Sequence, residues 1–217
     1  MKIYKPAVLN RPIQQSVVSN TIYDNYGYVM TYYSMGAGTE ISPERLNHHA
    51  AYYIDEGKVT GVYNENQTSY ELKQGDLYIR PANVLMGFHA DEDAVFTEFI
   101  FPNTSNVGAL LAAGAVLPFA SMISFRQNGE YRVSLIDDPN ADLYLESYDA
   151  GVSGEERKVS QKVMLLVLEG RGKIITQKDT EQVSAGTVFN AAGGTYRLTA
   201  DTKLKAVLLD IHDPDYR

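Results

Sequence analysis

The residues best suited to chemistry lie in one short stretch, residues 44–54. His48 and Tyr52 flank the small Ala50, and in an extended strand these alternate residues share one face. An imidazole and a phenol together offer a hydrogen-bond donor and acceptor, which suits a polar ligand or acid–base chemistry. Three of the four histidines fall in the first half of the chain, namely His48, His49 and His89. The first half is therefore where we expect a functional site.

Composition excludes several classes of protein. A chain of 217 residues with 44% hydrophobic and 21% charged residues can bury a core, and its 16 Tyr and 7 Phe favour strands. Without cysteine it has no disulfide and no thiolate nucleophile. The net charge of −8, with no basic cluster, argues against nucleic acid. The most apolar segment, residues 107–119, is interrupted by Gly114 and Pro118 and is too short to span a membrane. We expect a cytoplasmic protein.

A short pattern occurs twice and divides the chain. Glu56-Gly57 recurs as Glu169-Gly170, and Gly75 recurs as Gly186, each about 110 residues later. Between these landmarks lie short segments of alternating hydrophobicity, separated by Gly, Asn and Asp. An all-β chain of two similar domains is predicted, with the boundaries 1–102, 103–121 and 122–217. The middle segment is a linker, rich in Ala and Leu, which is either helical or a buried loop with a single turn.

The repeated glycine positions resemble the sequence motifs of the cupin superfamily. The first cupin motif ends in a glycine after an apolar strand, as at Gly57 and Gly170, and the second runs from a glycine to a proline six residues later, as from Gly75 to Pro81. The resemblance implies two tandem jelly-roll barrels, a bicupin, with the site inside a barrel. It also implies a homodimer formed through sheet edges, although the sequence does not indicate which edge.

Most cupins hold a divalent metal, but the ligand positions are degenerate here. The resemblance places them at Glu44, Leu46, Ala50 and Met86 in the first copy, where only Glu44 could bind a metal. In the second copy they fall on Arg157, Val159, Val163 and Tyr196. The β strand there carries Val159, Gln161, Val163, Leu165 and Val167 on one face. This nearly all-apolar face predicts a packed interior and a structural role for that barrel. No cofactor is expected.

The first copy instead suits a small-molecule ligand. Its expected ligand-binding residues share the inner face and are listed in chain order: His48, Tyr52, Met86, Phe88 and Glu98. Core packing is the competing interpretation for Met86 and Phe88, and a hydrogen-bonded interior histidine is the competing interpretation for His48. A Tyr-rich wall suits a sugar or sugar acid, a ligand class suggested by the family resemblance.

Two alternatives remain open. A strand bulge near Pro43 or Asn83 would turn His49 and His89 inward beside Glu44 or Glu98. With Glu44 they would form a displaced site for Fe, Mn, Ni or Zn in a metal-dependent isomerase or dioxygenase. The other alternative is a stand-alone sensory module that binds its ligand without turnover. The sequence does not decide whether the protein is an enzyme.

Overall fold

The computed structural model describes residues 1–25, 27–63, 68–102 and 113–212. Its elements are nearly all strands, as the alternating segments predict. The first eleven strands are β1 (Lys2–Tyr4), β2 (Val17–Asn25), β3 (Tyr28–Met35), β4 (Thr39–Arg45), β5 (Ala50–Glu56), β6 (Lys58–Tyr63), β7 (Thr68–Lys73), β8 (Asp76–Arg80), β9 (Leu85–Ala90), β10 (Ala94–Ile100) and β11 (Val116–Pro118). The other nine are β12 (Glu130–Asp138), β13 (Ala141–Tyr148), β14 (Arg157–Lys158), β15 (Lys162–Glu169), β16 (Arg171–Thr176), β17 (Thr180–Ser184), β18 (Val188–Ala191), β19 (Thr195–Ala200) and β20 (Leu204–Ile211). The helices of the described residues are α1 (Pro6–Leu9) and a 3₁₀ helix (Phe119–Met122).

The strands form two barrels of the same topology. In the first, a six-stranded sheet has the order β11-β8-β5-β10-β3-β2 and faces a four-stranded sheet of order β4-β9-β6-β7. In the second, the orders are β1-β18-β15-β20-β13-β12 and β14-β19-β16-β17. Each strand of the first barrel corresponds to the strand numbered ten higher, except that β11 and β1 occupy the same edge. The fold is therefore all-β, with two tandem jelly-roll barrels.

The repeated Glu-Gly pattern marks a tight turn in each barrel, where the chain passes from the six-stranded sheet to the four-stranded sheet. Gly57 joins β5 to β6 and Gly170 joins β15 to β16, with φ of 72° and 87°. A Cβ at Gly57 would lie 2.2 Å from the Asp93 carbonyl oxygen, and one at Gly170 would lie 2.0 Å from that of Lys203. Both the positive φ and the close approach require glycine.

The domain boundaries differ from the sequence prediction at their ends. Met1–Lys5 belongs to the second compact unit rather than to the first, because β1 pairs with β18 and covers the edge of that sheet. The first unit extends to Phe119, since β11 pairs in the same way with β8.

Of the two linker structures that the sequence leaves open, the helix is not found in the described part of the linker. Residues 113–121 contain β11 and the start of the 3₁₀ helix, while residues 103–112 lie outside the described residues. Strand pairing at the β8 edge therefore overrides the helical preference of the Ala- and Leu-rich composition in the described part. No helix in the described ranges is long and apolar enough to cross a membrane.

Each barrel has its own core between its two sheets. In the second barrel, the predicted inner face of β15 is buried: Val163, Leu165 and Val167 are at most 1% exposed, and Val159, just before this strand, is 2% exposed. In the first barrel the core contains Tyr52, Tyr78, Met86 and Phe88 among other apolar residues. Alternation along β5, β8 and β10 directs every second side chain into this core.

Candidate functional site

The strand register of the first barrel brings a set of polar side chains onto one inner face. Tyr52 on β5 lies opposite Tyr78 on β8 and opposite Glu98 on β10. Ala50, two residues before Tyr52, lies opposite Arg80. Residues that pair directly across antiparallel strands project to the same side of the sheet. Tyr52, Tyr78, Arg80 and Glu98 therefore project into the barrel.

These residues form a buried hydrogen-bond network. The Tyr52 hydroxyl donates to Glu98 Oε1 at 2.9 Å and accepts from Arg80 Nη1 at 3.2 Å. Tyr33, on β3, donates from its hydroxyl to Glu98 Oε2 at 3.3 Å. Both carboxylate oxygens of Glu98 thus have a phenol partner, and Tyr52 connects the carboxylate to the guanidinium. We call Tyr33, Tyr52, Arg80 and Glu98 the inner network.

Arg80 is the most unusual member, because it is 1% exposed. Its Nη2 donates to the carbonyl oxygen of Val84 at 2.9 Å and to that of Glu44. The Glu44 carboxylate lies 4.0 Å from Nη1. A buried cation is tolerated only where hydrogen bonds and opposite charges compensate for lost hydration. Arg80 is held by such partners on several sides, so its position in the barrel is fixed.

Burial controls the protonation of the neighbouring groups. It raises the pKa of Glu98, an effect that the hydrogen bond from Tyr52 partly offsets. Burial and then the Glu98 charge hold the pKa of Tyr52 well above its usual value. Burial and then the Arg80 charge lower the pKa of His48. At neutral pH the phenols are hydrogen-bond donors and the His48 ring is uncharged.

Besides Asp55 Oδ1, three buried polar atoms in the described part of this barrel have no hydrogen-bond partner: the Tyr78 hydroxyl, Arg80 Nε and His48 Nε2. Tyr78 is completely buried, and its ring packs against Tyr63 and Tyr70 with centroid distances of 6.4 and 5.6 Å. An unpaired polar atom in a protein interior costs about 1–3 kcal/mol. Such atoms are therefore candidates for binding a ligand or an ordered water molecule.

The structure brings most of the predicted ligand-binding residues together. Met86 and Phe88 pack in the same core cluster as Tyr52, and the rings of Phe88 and Tyr52 meet edge to face at 4.7 Å. Glu98 bonds directly to Tyr52. Whether these residues bind a ligand stays a prediction.

His48 does not form the expected pair with Tyr52. The Tyr52 hydroxyl interacts with Glu98 and Arg80, whereas His48 Nδ1 lies 2.8 Å from the Asn47 side-chain oxygen. Residue 48 precedes β5, which begins at Ala50, so alternation counted back from Tyr52 does not fix its direction.

Sequence reasoning missed Arg80, Tyr78 and Tyr33. Alternation along β8 could have found two of them, because Tyr78 and Arg80 have the same parity in the run Asp76–Arg80. An arginine that shares a face with an apolar strand is a signal of a buried cation. For Tyr33 no such signal exists without the pairing of β3 with β10.

The displaced metal site is not assembled. A register shift between Ile41 and Glu44 does occur, where a bulge was suggested. However, His89 Nε2 lies 3.1 Å from Asp91 Oδ1 and the His89 side chain is 42% exposed, while His49 donates from Nδ1 to the Arg80 carbonyl oxygen at 3.3 Å. Glu44, His49 and His89 therefore do not converge. Across residues 1–25, 27–63, 68–102 and 113–212, no group of three or more His, Cys, Asp or Glu could hold a metal ion.

The residues at the usual cupin ligand positions also do not fit a divalent metal. Ala50 and Met86 are buried in the apolar cluster, and Leu46 packs against it. The nearby cation is the guanidinium of Arg80, which would repel a metal ion. The first barrel thus contains a protein cation in the region where the family resemblance implies a metal.

The second barrel is less apolar than the sequence suggests. Glu146, which is 1% exposed, accepts from Arg157 Nη1 at 2.6 Å and from the Tyr148 hydroxyl at 2.8 Å, and it forms an ion pair with Arg132 Nη2 at 2.6 Å. Arg157 also donates to the Tyr148 hydroxyl at 3.2 Å. The prediction considered only β15, which is apolar, whereas these polar groups come from β12, β13 and β14. A purely structural role for this barrel therefore stays a prediction.

Comparison with known proteins supports the fold and leaves the activity open. No family model matches the sequence, and no curated protein is similar to it in sequence. A cupin 2 conserved barrel domain protein from Leptotrichia buccalis matches 97% of this chain and 96% of its own, with a TM-score of 0.82 and 17% identity. A variant of salicylate 1,2-dioxygenase from Pseudoaminobacter salicylatoxidans, in complex with gentisate, matches 96% of this chain and 81% of its own, with a TM-score of 0.68 and 13% identity. Both likenesses concern the fold alone, and the chain accordingly has the fold of the cupin barrel proteins.

Proposed function

We propose that the protein binds a small organic molecule inside its first barrel, without the metal cluster typical of cupins. The observation that carries this proposal is the set of three buried, unpartnered atoms, the Tyr78 hydroxyl, Arg80 Nε and His48 Nε2. They belong to a barrel whose neighbouring polar groups are already bonded to one another. A fixed network beside free polar groups is the arrangement expected of a preformed ligand site.

The chemistry of these atoms favours a ligand rich in oxygen acceptors. Arg80 Nε carries a hydrogen and can only donate, and the Tyr78 hydroxyl can donate or accept. The rings of Tyr63, Tyr70 and Tyr78 provide aromatic surface for the C–H face of a sugar ring. We therefore propose a sugar or sugar acid as the ligand class, with Tyr52, Met86 and Phe88 as part of the surrounding wall.

A thermal-shift screen of neutral sugars and sugar acids, followed by calorimetric titration of the hits, tests this function. Tyr78→Phe removes one free hydroxyl and should weaken binding about ten-fold. Tyr53→Phe is the matched control, because Tyr53 is on the neighbouring strand β5 but has the opposite parity to Tyr52. Equal affinity in wild type and Tyr78→Phe would rule out this site, as would the absence of any saturable hit.

The alternative functions, a metal-dependent enzyme and a sensory module, predict different results for the same purified protein. The dioxygenase with a similar fold makes a metal-dependent enzyme worth testing, although the residues here do not fit a metal. About one Fe, Mn, Ni or Zn per chain in protein purified without added metal would favour that enzyme. A sensory module would return its ligand unchanged after overnight incubation, whereas an isomerase would convert it.

A further inference from the structure

The hydrogen bonds of the Arg80 guanidinium restrict which ligand the first barrel can hold. Nη2 donates to two backbone carbonyl oxygens, those of Glu44 and Val84, and Nη1 donates to the Tyr52 hydroxyl. An arginine binds a carboxylate or a phosphate most strongly through two parallel N–H groups. Both such edges of a guanidinium, Nη1 with Nη2 and Nε with Nη2, include Nη2, whose two hydrogens are already used here. Arg80 therefore offers an acid group no pair of donors, and its buried Nε offers a single N–H.

His48 places a second restriction on the ligand. Its Nδ1 lies 2.8 Å from the side-chain oxygen of Asn47, which can only accept, so Nδ1 carries the hydrogen. In the neutral ring Nε2 is then an acceptor, and this atom is buried without a partner. An ionised carboxylate cannot satisfy it, because a carboxylate has no hydrogen to donate. A hydroxyl group can donate to His48 Nε2, and it can equally accept from Arg80 Nε.

The charges beside the inner network also disfavour an acid. Glu44 on β4 lies opposite Met86 on β9, and the Met86 side chain is in the core, so Glu44 is on the inner side of its sheet. Its carboxylate is 57% exposed and lies 4.0 Å from Arg80 Nη1. Glu98 is connected to Arg80 through the Tyr52 hydroxyl. Even when Glu98 is protonated, Glu44 alone balances the guanidinium, which leaves no surplus positive charge for an anion.

We propose that the first barrel binds a neutral polyhydroxy compound, such as an uncharged sugar, and that Glu44 excludes the corresponding acids. This inference rests on the proposed function and narrows it, because that function admits both sugars and sugar acids. Glu44 suits the role because its carboxylate is exposed, whereas Glu98 is 6% and Arg80 is 1% exposed. A ligand that enters from solvent therefore meets the negative charge of Glu44 before it reaches the buried groups.

Three matched pairs of compounds test this inference: glucose with glucuronate, galactose with galacturonate, and mannose with mannuronate. The members of a pair differ only in carrying a hydroxymethyl group or a carboxylate on the same ring. Calorimetric titration of the intact chain is made at pH 8, above the range in which histidine side chains usually titrate. We expect saturable binding of the neutral member of a pair and binding of its acid that is at least about ten-fold weaker, because like charges are brought together.

Glu44→Gln identifies the residue responsible, since it keeps the size of the side chain and removes its charge. The difference in affinity between the neutral sugar and its acid should narrow to about three-fold or less in this variant. Glu40→Gln is the matched control and should leave the difference unchanged. Glu40 is exposed on the same strand, but it lies opposite His89, on the outer side of the sheet.

The outcomes separate this inference from the proposed function. An acid that binds as tightly as its neutral partner would contradict the inference alone, because the barrel would still bind a sugar derivative. An unchanged difference in Glu44→Gln would exclude Glu44 as the selective residue. In the wild type, raising NaCl from about 20 mM to about 500 mM should reduce the difference through ionic screening, and a difference independent of salt would contradict an electrostatic origin. Saturable binding by no member of any pair would overturn the proposed function, and this inference with it.

Discussion

At the scale of single residues, both barrels contain buried charged side chains whose partners are buried or partly buried. In the first barrel Arg80 and Glu98 are connected through the Tyr52 hydroxyl, and in the second Arg157 and Glu146 bond directly. Removing one partner of a buried ionic pair leaves an uncompensated charge, which is more costly than losing the pair as a whole. Preorganised groups of this kind constrain both the stability of the barrel and the orientation of any ligand.

Asp55 gives the clearest test of buried charge. It is 7% exposed, and its Oδ2 accepts from the Thr97 hydroxyl at 2.7 Å, while Oδ1 has no partner. Burial raises the pKa of Asp55 to about 7, against the lowering effect of the Thr97 hydrogen bond. Because the folded pKa exceeds the unfolded one, the folded state binds more protons, and stability falls as the pH rises from about 4 to about 7.

We expect Asp55→Asn to stabilise the protein at pH 8, on the order of 2 kcal/mol in the free energy of unfolding. The gain should be smaller at pH 5, where the wild-type carboxyl is protonated in the folded state. Urea denaturation of both proteins at the two pH values measures the difference. A gain that does not change with pH would show that Asp55 is not the titrating group; Asp201→Asn serves as the exposed control.

The sequence predicts part of the site at this scale. Tyr52 and Glu98 follow from alternation, because both lie inside regular strands. The expected pairing of His48 with Tyr52 is not found, since His48 lies outside β5 and its direction depends on the loop. The sequence does not predict Arg80 as a member of the site, because buried arginines are rare. The carbonyl oxygens that accept hydrogen bonds from its guanidinium belong to other segments of the chain, at Glu44 and Val84.

At the scale of elements, the two glycines of the repeated pattern in the first barrel, Gly57 and Gly75, should differ in how much stability is lost when alanine replaces them. Gly57 and Gly75 both lie in turns and have a positive φ, of 72° and 87°. A Cβ at Gly57 would lie 2.2 Å from a backbone oxygen, whereas one at Gly75 would meet no atom within 4 Å. Gly75→Ala therefore costs only the strained φ, about 1 kcal/mol, while Gly57→Ala also forces β5 and β10 apart.

We expect Gly57→Ala to lower the free energy of unfolding by about 2–4 kcal/mol, roughly two to four times the loss in Gly75→Ala. Chemical denaturation of the wild type and the two variants measures both losses. The pair Gly170→Ala and Gly186→Ala repeats the comparison in the second barrel, where the Cβ of residue 170 would lie 2.0 Å from a backbone oxygen. Equal losses in Gly57→Ala and Gly75→Ala would contradict the steric explanation.

Element type is well predicted from the sequence, while element ends are not. Period-2 segments and glycine turns identify the strands because both signals are local. The pairing of β1 with β18 and of β11 with β8 depends on contacts between distant segments. The sequence prediction therefore placed Met1–Lys5 in the first domain and left a helix or a buried loop open before Phe119.

At the scale of the whole molecule, the surface of the first barrel has an unusual apolar segment. Of the seven large hydrophobic residues that are exposed in the described part of the chain, five lie within residues 8–18: Val8, Leu9, Ile13, Val17 and Val18. Strand β2, which begins at Val17, is the edge strand of its sheet, and its residues 17–21 are all exposed. Residues 12–23 carry no charge. An edge strand whose first seven residues carry no charge is a typical surface for strand pairing.

We expect a second copy of the chain to cover this segment through antiparallel pairing of β2 with its counterpart. Two copies each carry a net charge of −8, so a charge-free patch is where they can meet with least repulsion. Antiparallel pairing of one strand with its counterpart in a second copy is two-fold symmetric, and it closes the assembly at a dimer.

Size-exclusion chromatography with light scattering should give twice the chain mass. Val18→Asp, at a residue 42% exposed, should give the monomer, whereas Ile175→Asp, at a residue 37% exposed on the second barrel, should remain dimeric. A monomeric wild type, or a dimer that survives Val18→Asp, would exclude this edge as the interface.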